Sequence, residues 1–150
     1  MKKIIWLLIP FLLLCACSGS SDTTELSALQ AQLPDLDKNE NFIKLSVMEA
    51  LNYFSFREED VEEALIYISK DGIKADEVVV VKAVDAEAAT RVFTALRDRF
   101  EEKKNSFRDY IPLEYEKICR SSVKQSGLYC YYVISDMKDT YESVFNAAFT

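Results

Sequence analysis

Two cysteines sit close together near the start of the chain, in Leu14-Cys15-Ala16-Cys17. A thiol that stands three residues after a leucine and directly after a small residue is suited to take a diacylglyceryl group. The sulfur accepts the lipid, and the small residue before it leaves room for a peptidase to cut at its amino side. Cys17 satisfies both requirements, whereas Cys15 follows the bulky Leu14. Ahead of them lie Met1-Lys2-Lys3, a short positive segment, and the apolar run Ile4 to Leu14. That run has the length of a signal-peptide core and falls short of the ~20 residues that a spanning helix needs. The expectation is a signal over residues 1–16 and a lipidated Cys17 as the new amino terminus. The partner this implies is the lipid bilayer, and the location is the extracytoplasmic face of the cell membrane. A single acyl chain binds only marginally, so two or three chains would hold the protein there.

The other residue types exclude more than they suggest. The 150 residues include no histidine, which removes the commonest general base and metal ligand and every triad built on it. Three glycines leave no phosphate loop and no dinucleotide turn, so no cofactor is expected. Asp71, Asp76 and Glu77 crowd one loop, but their spacing matches no calcium loop, and no metal is expected there. Glu114 and Glu116 flank Tyr115 on what reads as a short surface segment with nothing to raise either pKa, so no catalytic residue is assigned. Removal of the signal takes away Lys2 and Lys3 and no acid, which moves the net charge of −7 to −9. Phosphate contacts by Lys and Arg dominate nucleic-acid affinity, so nucleic acid is not an expected partner.

The body of the chain keeps Cys119 and Cys130. A hairpin turning at Ser126-Gly127 puts Gln125 opposite Leu128 and Val123 opposite Cys130. The two thiols then share a face about four residues apart, roughly 13 Å at ~3.3 Å per residue. A disulfide needs Cα atoms within about 7 Å, so both cysteines are expected free and buried. The opposite face of the hairpin carries Tyr129 and Tyr131 beside Arg120 and Lys124. Tyrosine and arginine are enriched at contact surfaces, which makes this face the candidate partner-binding patch, for an envelope protein or peptide. The alternative is that a helix covers the rings.

These residues need elements to hold them. Ser18 to about Asn41 is polar and reads as a tether, with Leu26, Leu29 and Leu33 at most a weak helix before Pro34. Residues 17–41 are therefore assigned to the lipidated cysteine and its tether, and residues 42–150 to one domain. Ser46 and Glu49 form a capping-box pattern for a helix from Val47 to Phe54. Leu65 to Ile68 reads as a strand, and Val78 to Val81, apolar on both faces, as a central one. Asp85 is placed to cap a long amphipathic helix with Ala89, Val92, Phe93, Leu96, Phe100 and Phe107 on one stripe and Arg97, Asp98, Glu101, Glu102, Lys103 and Lys104 outside. Pro112 opens a short helix through Ile118. Arg120 to Gln125 and Leu128 to Ser135 read as strands. Asp136 or Asp139 would cap a last helix with Met137, Tyr141, Val144, Phe145 and Phe149 on one face. The fold class is α+β: a two-layer sandwich of a mainly antiparallel four-stranded sheet with a long amphipathic helix and a C-terminal helix.

Two stretches carry a family resemblance. One is Ala75-Asp76-Glu77-Val78 running into Val81-Lys82-Ala83, Asp85 and the long charged helix. The other, the more specific, is Ser106-Phe107-Arg108-Asp109-Tyr110-Ile111-Pro112-Leu113-Glu114-Tyr115, followed by a strand, Gly127 and Tyr129 to Ser135. Together they resemble the small lipoproteins catalogued as domain of unknown function 4358, over roughly Leu45 to Phe149. That family is typical of Gram-positive bacteria, so the resemblance implies the outer face of the cell membrane. It transfers no activity and no catalytic residue, and the pair Cys119 and Cys130 departs from it. The expected role is a non-catalytic binding domain at the cell envelope. The alternatives are a carboxylate-dependent enzyme acting on wall polymers and a structural subunit self-associating through Val78 to Val81.

Mass spectrometry of the native protein is expected to show loss of residues 1–16 and a diacylglyceryl mass on Cys17, and Cys17→Ala is expected to release the protein from the membrane fraction. An intact Met1 or a bare Cys17 thiol in the native protein would overturn this reading.

Overall fold

The computed structural model describes residues 24–33 and 36–149. The signal, Cys17 and the first part of the expected tether lie outside these residues. Among the described residues no helix is long and apolar enough to cross a membrane.

The packed part of the chain includes residues whose polar surroundings suggest a tether. A short helix, α1 (Leu26–Gln30), buries Leu26 and Leu29, and Leu33 and the 3-10 turn Leu36–Lys38 bring Leu33 and Leu36 into the same cluster. Hydrogen bonds near its start fasten this segment to the domain. The Leu26 N–H donates to Glu63 at 2.9 Å, the Tyr129 hydroxyl to the Thr24 carbonyl at 2.7 Å, and the Thr24 hydroxyl to the Ala148 carbonyl at 3.1 Å. The expectation of a tether reaching to Asn41 is therefore corrected for these residues. Four leucines, each contributing ~1.5–3 kcal/mol on burial, outweigh the solvation of the polar residues between them.

The strand β1 (Phe42–Leu45) follows, then α2 (Val47–Phe54), whose capping box forms as expected. The Glu49 N–H donates to the Ser46 hydroxyl, and the Glu49 carboxylate accepts from the Ser46 N–H at 2.8 Å. The helix stops at Ser55, whose φ of 57° is left-handed. A 3-10 turn, Glu58–Asp60, leads into β2 (Val61–Ser69), and β3 (Glu77–Ala83) pairs antiparallel with it. The Asp85 side chain caps α3 (Ala86–Phe107) by accepting from the Ala88 N–H at 2.8 Å. Pro112 stands in the first turn of α4 (Pro112–Cys119), where its missing N–H costs nothing. Then come β4 (Lys124–Ser126), β5 (Tyr129–Ile134) and α5 (Lys138–Ala148).

The sheet has five strands in the order β1-β2-β3-β5-β4, all antiparallel. The class is α+β as expected, with five strands where four were expected. The extra one is β1, too short and too weakly alternating to stand out in the sequence. The hairpin register also differs by two residues. Ser126 faces Tyr129 and Gln125 faces Cys130, so the turn is Gly127-Leu128. Gly127 takes φ 54°, a conformation that glycine reaches without steric cost and that matches hairpin twist. The strand expected from Arg120 shortens to Lys124–Ser126, and Cys119 ends α4 instead of joining the sheet. Cys119 is accordingly exposed and Cys130 buried; both are free thiols. Neither Asp136 nor Asp139 caps α5, and Met137 precedes that helix exposed.

Both faces of the sheet are covered. Val79, Val81, Cys130, Tyr132 and Ile134 meet α2, α3 and Ile118 of α4. Val78, Val80, Tyr129, Tyr131 and Val133 meet α5, α1 and the leucines beyond it. Alternate residues of a strand point to opposite faces, so these are two cores separated by the sheet. The expected two layers are thus three. The second face needed a cover, and residues assigned to the tether supply part of it.

Leu29→Ala in the mature chain is expected to lower the unfolding free energy by ~2–4 kcal/mol in urea titration, as for a buried leucine. A change within ~0.5 kcal/mol, as at a solvated position, would contradict the docked segment.

Candidate functional site

The tyrosine face expected to meet a partner is interior. Tyr129 is 1% and Tyr131 5% exposed. The Phe149 ring stacks on Tyr129 at 4.3 Å, and Phe145 meets Tyr131 edge-on at 5.5 Å. The Tyr131 hydroxyl donates to Asn146 at 3.4 Å. The rings lie one strand from the middle of the sheet, where α5 covers them, and burial against phenylalanine is favoured over exposure to water. Lys124 pairs with Glu142 at 2.9 Å, and Arg120 is exposed beyond the end of α4. These four residues therefore do not form a surface together. The Val78 to Val81 strand is also fully enclosed, so it offers no edge for self-association.

The acids behave differently from a solvated scatter. Glu114, expected on the surface, is buried. Its carboxylate accepts the Ala75 N–H at 2.8 Å and pairs with Lys117 and Lys74. Burial pushes its pKa up, but the Ala75 N–H and the two lysines outweigh that and hold it below the usual range. Glu116 is exposed. Asp76 pairs with Lys117 at 2.9 Å, and the Asp71 carboxylate accepts the Ile73 N–H at 3.1 Å. Glu77, fully buried, lies at the centre of a network. It accepts from Lys103 at 2.6 Å, Tyr132 at 2.6 Å and Tyr53 at 3.2 Å. Asp71, Asp76 and Glu77 thus point to separate partners. Among the described residues no group of histidine, cysteine or acidic side chains is arranged to hold a metal.

What the fold does build is a groove of about 510 Å³ between α3 and the α2–β2 connection. Phe54 and Phe56, their rings stacked at 5.2 Å, form its floor with Val92 and Ala95. Tyr53, Ser55, Arg57, Thr90, Arg91, Thr94, Asp98, Arg99 and Glu102 form the rim. Asp60, 2% exposed, receives Arg91 on both carboxylate oxygens, from Nη2 at 2.6 Å and Nε at 3.0–3.1 Å. These hydrogen bonds hold the Asp60 carboxyl below its usual range against the desolvation that would raise it. At the other end Arg99 lies over the Tyr53 ring at 4.4 Å and donates to the Tyr53 hydroxyl at 2.6 Å. Tyr53 in turn donates to Glu77, and burial, followed by the charge of Glu77, raises its pKa. Two clamps, Asp60–Arg91 and Glu77–Tyr53–Arg99, therefore fix the two sides of the groove to one another and to the sheet.

None of the groove residues carries a site pattern in the sequence, where Phe54, Val92, Asp98 and Glu102 stand only as parts of helices. One signal was available for Lys103. It stands three after Phe100 and seven after Leu96, on the apolar stripe, and turns inward to Glu77 instead of joining the outer charges. Arg91 and Arg99, eight apart on α3, share a side of the helix, but their partners come from Asp60 and Tyr53, which only the fold brings near.

A family model described as Domain of unknown function (DUF4358) matches residues 35–135. The groove falls wholly within that span, whereas α1 and α5, which cover the second face, lie outside it. No curated protein and no solved structure matches the chain.

Asp60 has a native pKa below its unfolded value of ~3.9, so its ion pair contributes stability that is fully present above about pH 5 and is lost as pH falls through the lowered native value. Asp60→Asn is expected to be less stable at pH 7 and to show a shallower loss of stability between pH 5 and 3, read from urea midpoints. Parallel acid limbs for the two proteins would contradict the assignment.

Proposed function

The chain belongs to that family of unknown function, and we propose that it is a lipid-anchored, non-catalytic binding domain on the extracytoplasmic face of the cell membrane, with the groove between α2 and α3 as its binding surface. The observation that carries the binding role is the groove itself. It has an aromatic floor, a rim bearing three arginines, and walls held by buried ion pairs. A volume of this order suits a small ligand or a short segment of chain, and a site that is fixed before binding loses little entropy when it is filled.

The carboxylates argue for binding over catalysis. Glu114, Asp60 and Glu142 are each held below the ordinary range by a cationic partner, opposite to the raised pKa that a general acid needs. Glu77 has its two oxygens occupied by Lys103, Tyr53 and Tyr132. The location rests on Cys17 and the apolar run before it, which supply the anchor. The packed segment from Thr24 would keep the domain close to the bilayer, because only six residues, 18–23, lie between Cys17 and Thr24, a reach of at most ~25 Å.

A photo-crosslinking residue placed at Thr94, on the groove rim, is expected to give a discrete adduct with the lipidated protein in its own membranes. The same residue at Glu116, on the exposed side of α4, is expected to give none. Equal labelling at both positions, or no adduct at Thr94, would reject the groove as the binding surface.

A further inference from the structure

We infer that the segment from Thr24 to Lys38 is a releasable strap: it leaves the sheet as one unit while the rest of the domain stays folded, and so lengthens the link between Cys17 and the domain. The release follows from the packing alone. The gain in reach rests also on the reading of Cys17 as the anchor.

The strap is held by little for its length. Among residues 24–33 and 36–38 only Leu26, Leu29, Leu33 and Leu36 are buried. Ordering a residue costs conformational freedom whether or not its side chain enters a core, so four leucines must offset the ordering of all the rest. The helix α1 has five residues and no side-chain cap at its N-terminus. A helix so short does not persist in water by itself. Undocking and unravelling are therefore one event, and the segment is either packed whole or free whole.

The remaining sheet stands without it. The strap helix lies on β2 and meets α5, whereas α5 has its own packing on β5. The polar ties of the strap run mostly through side chains. Asp37 accepts from the Tyr67 hydroxyl at 2.5 Å, Lys44 donates to Gln30 at 2.7 Å, and Glu63 accepts from the Leu26 N–H at 2.9 Å. The ladder between β1 and β2 pairs Phe42 to Leu45 with Ser69 to Ile66, past the end of the strap. Just before that ladder the chain is pinned, where the Lys70 N–H donates to the Asn41 carbonyl at 2.9 Å. Release accordingly stops at Asn41. It bares Leu65 and Tyr67 of β2, which keeps the docked form the ground state.

Thr24 is the end of the strap nearest Cys17, so tension between the anchor and a ligand in the groove enters the fold there. It loads the contacts of Thr24 and Leu26 first and breaks them one after another. Docked, the chain from Cys17 to Thr24 reaches at most ~25 Å; released, the chain from Cys17 to Asn41 reaches at most ~85 Å.

Hydrogen exchange on the mature lipidated protein, read by mass spectrometry, tests the release. Amides of residues 28–33 are expected to exchange together, with protection at least about 100-fold lower than that of Val79 and Val80. Equal protection would mean that the segment opens only with the whole domain, and the inference fails. Leu26→Asp sets a carboxylate beside Glu63 and is expected to free the strap. Residues 28–33 then exchange as unfolded chain while β3 keeps its protection; a matching loss in β3 also defeats the inference. Reach is read by energy transfer from a dye on Cys119, the exposed thiol, to an acceptor on the headgroups of phosphatidylcholine vesicles. Transfer is expected to fall at least about twofold from the wild-type protein to Leu26→Asp. Unchanged transfer with a freed strap overturns the gain in reach and leaves the anchor standing. Failure of the wild-type protein to stay on the vesicles overturns the anchor instead, and with it the gain in reach.

Discussion

Everything in this fold hangs on a strand with no solvated side. Each of the seven residues of β3, from Glu77 to Ala83, is buried. Four consecutive valines send alternate side chains into two separate cores, each contributing on the order of 1.5–3 kcal/mol by leaving water. Such a strand is stable only if both faces of the sheet are covered. The requirement explains why helices lie on both sides and why a leucine-bearing segment ahead of β1 is drawn onto the second face. It also explains the two charged groups at the ends of the valine run. Glu77 and Lys82 cannot reach water freely, so each must find opposite charge inside the protein. Lys103 and two tyrosines meet Glu77, and Glu62 and Glu63 meet Lys82 at 2.9 and 3.6 Å.

The groove inherits its shape from the same requirement. Neutralising Glu77 brings Lys103 and Tyr132 to it and ties Tyr53, on α2, to β3. Arg99 then settles on Tyr53. At the far end Asp60 is buried beneath the turn before β2 and takes Arg91. Burying charges is unfavourable unless every one is paired and hydrogen-bonded, and here the pairs reach from one wall of the groove to the other. A cleft held in this way keeps its width without a ligand.

The free thiols show the same logic at a smaller scale. Cys130 sits on β5 against α3, its sulfur 3.3 Å from the Ala89 carbonyl, and burial pushes its pKa up to about 12. It behaves as a small apolar side chain. Cys119 is exposed because the chain between α4 and β4 does not pair with the sheet. The separation that keeps the thiols apart is therefore one of elements, helix end against strand, and not of spacing along one ladder.

Much of the fold was legible in local pattern. The capping box at Ser46 and Glu49, the cap at Asp85, the proline opening α4 and the valine strand all depend on residues within a few positions of one another, and local geometry decides them. The α+β class and the antiparallel sheet followed from those elements. The expectation that Cys17 is lipidated rests on the sequence alone. Tertiary structure decided what becomes of residues whose environment is made by distant ones. Tyr129 and Tyr131 have contact-surface chemistry and Leu26, Leu29, Leu33 and Leu36 a linker's surroundings, yet all six are interior, because the sheet needed a cover on its second face. Glu114 has the sequence context of solvated charge, and Lys103 sits in a run of charges although it falls on the apolar stripe; both are buried in ion pairs. The groove exists only because Asp60 meets Arg91 across 31 positions and Tyr53 meets Arg99 across 46. Spacing fixes contacts within a helix turn or a strand pair, whereas contacts across such separations are set by packing, and packing is a property of the whole chain.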